Sequence, residues 1–446
     1  MASIDERALI RKICLRIVPF AMVLYFVNFV DRVNVGFAAL DMNKSLHFSP
    51  AVFGWGAGIF FIGYFIFEVP SNVFMEKIGA RVWLSRIMVT WGIVATLMAL
   101  VTNVPTFYGA RFLLGIAEAG FFPGVVFYLS TWFPNRYRGQ MMAFFLLATP
   151  LSSIIGGPVS GAILAHGSFF GLAPWQALFV LEGVPAIALG VLSMFVLSDR
   201  PSSARWLNDA ERDWLANELA HEHHSHLSGL WEALRDSRVL LLALVEVGLT
   251  IGMYGITLWL PQILKSYGIS SMQVGMLSAV PYLVTIVGML AWGLVSDRVG
   301  RRPLQVAASC ILSALGLWLA IATPSLGIAV AGLSLCSLGM MTARPPFWAL
   351  PSTFLVGTGA AAGIALVNAI GNLGGFVGPY AIGALTESTG TFHAGLLAIA
   401  GALVVTAVLA LYVGNMLAGR AGRPIGVISG EVDVTSEPAG ATAASR

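Results

Sequence analysis

The chain reads as long apolar stretches separated by short polar breaks, and twelve of the stretches reach the length that crosses a hydrocarbon core. A core of about 30 Å takes roughly 20 helical residues at 1.5 Å each. The stretches, numbered here as spans 1 to 12, fall at about 15–40, 52–75, 83–102, 105–129, 139–165, 175–197, 239–262, 272–295, 303–322, 327–349, 359–385 and 394–417. One break is long. Residues 198–238 separate six spans from six, and within them Asn208 followed by Glu211 has the form of a capping box. Leu207, Trp214, Leu215 and Leu219 add an apolar stripe, so the pattern predicts a helix over 208–222 lying against a membrane face. The expected organisation is an N-terminal six-helix bundle at 1–198, a central loop at 199–238 and a C-terminal six-helix bundle at 239–418. A tail at 419–446, rich in Gly, Ala, Ser and Thr, is expected to be disordered.

Composition and charge sharpen the class. Charged residues make up 11% of the chain, against roughly 25% in soluble domains, which excludes an ordinary soluble fold. The first apolar run is too long for a cleavable signal and lacks a small-residue cleavage site. Of 25 Lys and Arg, only Lys44 and Lys265 fall on one side of the spans, while Arg32, Arg111 and Arg344 lie within them. All the rest gather on the side that carries both termini, which places the termini in the cytoplasm of a cell whose inner membrane holds the chain. The net charge of +3 thus reflects topology, and no nucleic-acid partner is expected. Cys14, Cys310 and Cys336 lack metal-ligand spacing and read as packing residues. His221, His223, His224 and His226 read as a solvated loop, because no Cys or carboxylate set completes a metal site. No cofactor is expected.

Candidate chemistry lies where charge interrupts hydrocarbon. Asp31 and Arg32 sit inside span 1, and Arg111 and Glu118 inside span 4. A charge at a helix centre in lipid costs about 2.5–3.5 kcal/mol on insertion scales, so such groups face a protein interior or a watery path, usually paired. Asp31 stands about 15 residues up span 1, roughly 22 Å, and Arg111 about 6 residues down span 4, roughly 9 Å. Both fall in the outer half, with Glu118 two turns below Arg111 on the same face. The arrangement allows an Asp31–Arg111 pair above Glu118, leaving Arg32 to meet a substrate carboxylate. Burial disfavours the charged form of Glu118 and a nearby arginine favours it. Proton gain there would free Arg111 or Arg32 for an anion and couple the two loads. In the second half, Glu246 in span 7 and Arg344 in span 10 each lie roughly 10 Å from the cytoplasmic end. They form a plain structural pair, a buried pair acting as an inner gate or, with Arg344 on substrate, a site for the second carboxylate of a diacid. Glu68 and Glu182 read as helix-end or interhelical hydrogen-bonding groups. No nucleophile–base pair or metal set appears inside the spans, so the chain is not read as an enzyme.

Two short repeats complete the pattern. Span 8 runs into Gly293-Leu-Val-Ser-Asp297-Arg298-Val-Gly300-Arg301-Arg302, and span 2 into Asn72-Val-Phe-Met-Glu76-Lys77-Ile-Gly79-Ala-Arg81. Each sets an acid, a base, a glycine and a further base in a tight turn, which reads as a gate and hinge made by Asp297, Arg298, Arg301, Glu76 and Arg81. This pattern resembles the cytoplasmic signature of the major facilitator superfamily, although Asn72 stands where Gly is usual and Glu76 where Asp is usual. The implied fold is all-α, with twelve transmembrane helices in two pseudo-symmetric six-helix bundles around a midplane site.

A closer resemblance covers almost the whole chain. Tyr25-Phe-Val-Asn-Phe-Val-Asp31-Arg32-Val-Asn-Val-Gly36-Phe, Glu68-Val-Pro-Ser-Asn72 and Arg111-Phe-Leu-Leu-Gly115-Ile-Ala-Glu118-Ala-Gly-Phe-Phe-Pro123-Gly resemble segments of the anion:cation symporter family. So do Trp132-Phe-Pro, Pro346-Phe-Trp348-Ala-Leu-Pro351 and Asn368-Ala-Ile-Gly371-Asn-Leu-Gly-Gly375. The resemblance implies uptake of a small organic anion such as a sugar acid, a tartrate-like hydroxy acid or an aromatic carboxylate, with protons as the coupled ion. In the galactonate symporters it resembles, positions matching Asp31 and Glu118 handle protons and the one matching Arg32 takes the substrate carboxylate. Tyr64 and Asn368 match substrate-contacting positions there, and Trp348 tilts the expectation toward an aromatic or hydroxy acid. One chain makes a whole pathway, so a monomer is expected. Two other readings stay open. Gly156-Gly-Pro158-Val-Ser-Gly161 in span 5 partly resembles the helix-bending motif of drug–proton antiporters, and the chain could instead serve as a transport-inactive ligand sensor.

Overall fold

The computed structural model describes residues 5–169, 171–220, 235–299, 301–351 and 358–419. Among these, twelve helices are long and apolar enough to cross a membrane. In the first half they are spans 1 to 6 at Glu6–Ser45, Pro50–Ile78, Ala80–Leu100, Val104–Ser130, Arg136–His166 and Pro174–Val196. In the second half, spans 7 to 12 run over Ser237–Lys265, Ser271–Met289, Arg302–Ala322, Leu326–Trp348, Gly363–Thr389 and His393–Leu417. The fold is the all-α, twelve-span architecture that the sequence pattern implies. The tail beyond 419 and the histidine loop lie outside the described residues. Below, the side of the bundle carrying residues 5 and 419 is called the basic face and the opposite side the far face.

Local sequence sets where the helices begin and break. The Ser49 hydroxyl accepts from the Val52 amide at 3.3 Å, with Pro50 opening span 2. Asn103 and Thr106 cap span 4 reciprocally. Span 4 is broken in the middle, between Val104–Glu118 and Phe121–Ser130, because Gly120 takes φ +86°. Glu118 is therefore the last residue of a helical half.

The loop helix runs Asp209–Ala220, within the predicted 208–222. Its capping box closes as expected: the Glu211 amide donates to Asn208 at 2.8 Å, and the Asn208 amide donates to Glu211 at 2.9 Å. The helix docks on the first half. Lys12 pairs with Glu211 at 2.7 Å, and Arg136 bridges Glu6 and Glu218 at 2.7 and 2.5 Å. Just upstream, Trp206 stacks on Trp132 at 5.4 Å.

The halves meet along spans 1 and 7, 2 and 11, and 5 and 8. Near the far face these crossings are backbone against backbone. A Cβ on Gly161 would stand 2.8 Å from the Gly275 Cα, and one on Gly54 would stand 2.6 Å from the Pro379 carbonyl oxygen. Small residues thus let the helices touch. Glu387 closes the same end, accepting from the Ser49 hydroxyl at 2.6 Å and the Ala51 amide at 2.8 Å. The far face is shut between the halves.

Candidate functional site

Asp31 and Arg32 are neighbours on one helix, so their side chains leave span 1 about 100° apart. That divergence decides the site. Arg32 turns toward span 4, where its Nε donates to Glu118 Oε1 at 2.9 Å and a terminal nitrogen reaches the same oxygen. Its other terminal nitrogen donates to the Tyr254 hydroxyl on span 7 at 2.9 Å. The guanidinium lies over the rings of Tyr64 and Phe60, 5.4 and 5.6 Å from their centroids. Glu118 is fully buried, and its Oε2 has no partner. Arg32 thus joins both halves at the bundle's centre.

Asp31 faces away, taking a 3.1 Å hydrogen bond from Asn34. The expected Asp31–Arg111 pair does not form. Arg111, 1% exposed, instead donates to the carbonyls of Gly56 and Ala57 on span 2 at 3.2 and 3.3 Å. Its guanidinium also stacks over Phe60 at 5.0 Å. Arg32, expected to be free, is the arginine that holds Glu118. Backbone carbonyls hold Arg111 and a carboxylate holds Arg32, the reverse of the expected arrangement.

The second half carries its own pair. Arg344 Nη1 donates to Glu246 Oε1 at 3.2 Å, and Thr250 donates to the same oxygen at 3.4 Å. Gly371 on span 11 makes room for this carboxylate, since a Cβ there would collide with the Glu246 side chain. Tyr25 on span 1 lies within electrostatic reach of both Arg32 and Arg344.

The remaining expected residues fall in different places. Asn368 donates to Glu68 Oε1 at 2.9 Å, and Asn372 to Glu68 Oε2 at 3.4 Å, so a residue expected on substrate bonds the opposite half here. Trp348 ends span 10, edge-to-face with Phe347 at 5.2 Å, and packs with Val239 and Leu242 in an apolar cluster toward the basic face. Glu76 is exposed. The acid that meets Arg81 is Asp199 at the end of span 6, 3.5 Å from Arg81 Nε, and it also caps the Arg81 amide at 2.9 Å. The side chains of Asp297 and Arg298 lie outside the described part, and Arg301 is exposed where span 9 begins. Among the described residues, no cluster of His, Cys, Asp and Glu has the form of a metal site. Sequence reasoning did not pick out Tyr254, Phe60 or Asp199. Their only signal is position, an aromatic or acid opposite an arginine that is far away in the chain.

Chemically, each pair is an arginine neutralised by a buried glutamate, with Arg32 buried and Arg344 half-buried. Taking away one member leaves the other uncompensated, at a cost of about 3–5 kcal/mol. An anion can replace the glutamate on the arginine if a proton neutralises the glutamate in the same event. A site of this kind binds and exchanges charge, and nothing in it cuts or forms a covalent bond.

Comparison with known proteins agrees. The model of the Major Facilitator Superfamily matches residues 21–365 and 263–426. A protein of Agrobacterium vitis named "Putative tartrate transporter" is 49% identical over 430 residues, covering 95% of this chain and 98% of its own. The "Quinolone resistance transporter" of Acinetobacter baumannii is 42% identical over 397 residues, covering 88% of this chain and 91% of its own. Among solved structures, that of a D-xylose-proton symporter overlays with a TM-score of 0.71 at 16% identity, covering 89% of this chain and 97% of that one, a likeness of fold alone. The chain belongs to the major facilitator superfamily, and its work is to carry a solute across a membrane rather than to transform one.

Proposed function

We propose that the chain takes up a small organic anion together with protons by alternating access, as a monomer in the inner membrane with the basic face in the cytoplasm. The observation that carries this reading is the Arg32–Glu118 pair, buried at the centre and tied to the second half through Tyr254. A substrate carboxylate takes Glu118's place on Arg32, and the proton that neutralises Glu118 is the coupled ion. Tyr64 shapes the floor of the arginine site. Arg344, once it leaves Glu246, meets the second carboxylate of a diacid, and the name of the Agrobacterium vitis relative makes tartrate the first solute to try. Asp31 and Arg111 assist proton handling. The motifs around Asp297, Arg298 and Arg301, and around Glu76 and Arg81, act as gates toward the cytoplasm, as do Glu246 and Glu68.

The test is uptake by purified protein in liposomes, with internal pH followed while tartrate, galactonate, phthalate or 4-hydroxyphenylacetate is added outside. Acidification with one solute, lost in Glu118→Gln, is the expected result. Silence across the panel overturns the reading. A second reading, proton-driven export of a drug-like molecule, draws on the quinolone-resistance relative. Quinolone efflux driven by an inward proton gradient, with no carboxylate uptake, would select it.

A further inference from the structure

Away from the Arg32 site, spans 1, 3, 5 and 6 enclose two carboxylates that the transport reading does not use together. Asp31 is 1% and Glu182 6% exposed. Asn34, one turn along span 1 from Asp31, donates to Asp31 Oδ1 at 3.1 Å and is also within hydrogen-bonding reach of Glu182 on span 6. The Ser160 hydroxyl on span 5 donates to Glu182 Oε1 at 2.6 Å. The second oxygens, Asp31 Oδ2 and Glu182 Oε2, are buried without a partner. So is the indole nitrogen of the fully buried Trp91 on span 3, which lies beside Asp31 without completing a hydrogen bond.

The charges around this cluster are accounted for elsewhere. Arg32 is held by Glu118 and Tyr254, and Arg111 by the carbonyls of Gly56 and Ala57. Glu118 is the other acid that acts on Asp31, and it adds negative charge. Span 3 brings Trp91 and Thr96 toward span 6, and span 5 brings Ser160, none of them cationic. Two ionised carboxylates beside one amide, buried and with no counter-ion among the described residues, would repel each other in a poorly polarisable interior. A proton between them removes the repulsion and supplies the donor that the orphan oxygens lack.

We propose that Asp31 and Glu182 form a proton-binding site of their own, beside Asn34 and occupied by one proton while the far face is shut. Glu182 and Ser160 lie within roughly 12 Å of the far ends of their spans. The site therefore fills from, and empties to, water on the far face when that face opens. Binding joins one proton to one carboxylate oxygen, and release returns it to that water as two carboxylates become hydrated. Its role in transport rests on the proposed proton coupling, but the site itself does not.

The test is infrared spectroscopy of the full chain in lipid at neutral pH, which needs no solute and no transport. We expect a carbonyl band from a buried protonated carboxyl group that is lost in Glu182→Gln. The same band should move in Ser160→Ala, which removes a hydrogen bond and no titrating group. Ser160→Ala alone decides if Glu182→Gln fails to fold. A wild-type spectrum lacking the band, or a band unmoved by the variants that fold, overturns the proposal. Absent uptake alongside an intact band would overturn proton-coupled transport and leave the site standing.

Discussion

Asn368 on span 11 donates to Glu68 on span 2 at 2.9 Å, and Asn372 reaches the same carboxylate at 3.4 Å. These bonds join the two halves on the basic-face side of the crossings that shut the far face. A hydrogen bond to a charged group contributes about 1.5–3 kcal/mol. Replacing both asparagines by alanine should therefore shift the population toward an open basic face by roughly tenfold or more. Distances between spin labels placed on the basic-face ends of spans 2 and 11 would lengthen. An unchanged distance distribution would exclude a latch at Glu68.

Glu118→Gln removes the group that competes with an anion for Arg32. On the proposed coupling, solute binding to this variant should be independent of pH, and binding to the wild type should strengthen as pH falls. Counterflow exchange should persist while accumulation against a gradient stops. Loss of both, in a folded protein, would make Glu118 a packing residue.

Arg344→Ala leaves Glu246 buried beside Thr250 with no cation. The expected loss is about 3–5 kcal/mol, less whatever protonation of Glu246 recovers. Adding Glu246→Gln should restore most of the melting temperature. It should not restore discrimination between a dicarboxylate and its monocarboxylate analogue, measured by competition. Full recovery of both would reduce Arg344 to a structural partner.

Gly275→Val places a branched side chain where spans 5 and 8 touch at Gly157 and Gly161. The far face should no longer close, holding the carrier open on that side and lowering turnover at least about tenfold, a shift of 1.4 kcal/mol or more. A cysteine near the far end of span 5 should label faster in this variant than in wild type. Equal labelling would show that the crossing has slack.

The spans were legible because length and apolarity alone define them, and the capping box at Asn208 and Glu211 formed as the sequence pattern indicated. Asp31, Arg32, Arg111 and Glu118 stood out as charges in hydrocarbon. Their pairing did not. Depth along two helices fixes height but not azimuth, and Arg32 lies about 100° round from Asp31. The acceptors of Arg111 are main-chain carbonyls, which leave no residue-type signature. Tyr254, some two hundred residues from Arg32, is one tyrosine among aromatic neighbours until the helices pack. Asp199 took the place expected for Glu76 because the end of span 6 comes back beside the start of span 3.

The two arginines that pair with a glutamate inside the spans keep that partner within their own half: Arg32 with Glu118 in the first, Arg344 with Glu246 in the second. Across the interface Arg32 offers only a neutral hydroxyl partner, Tyr254. Rocking the halves apart therefore pulls no opposite charges away from each other. Under the proposed alternating access, neither glutamate has to part from its arginine for the empty carrier to reset.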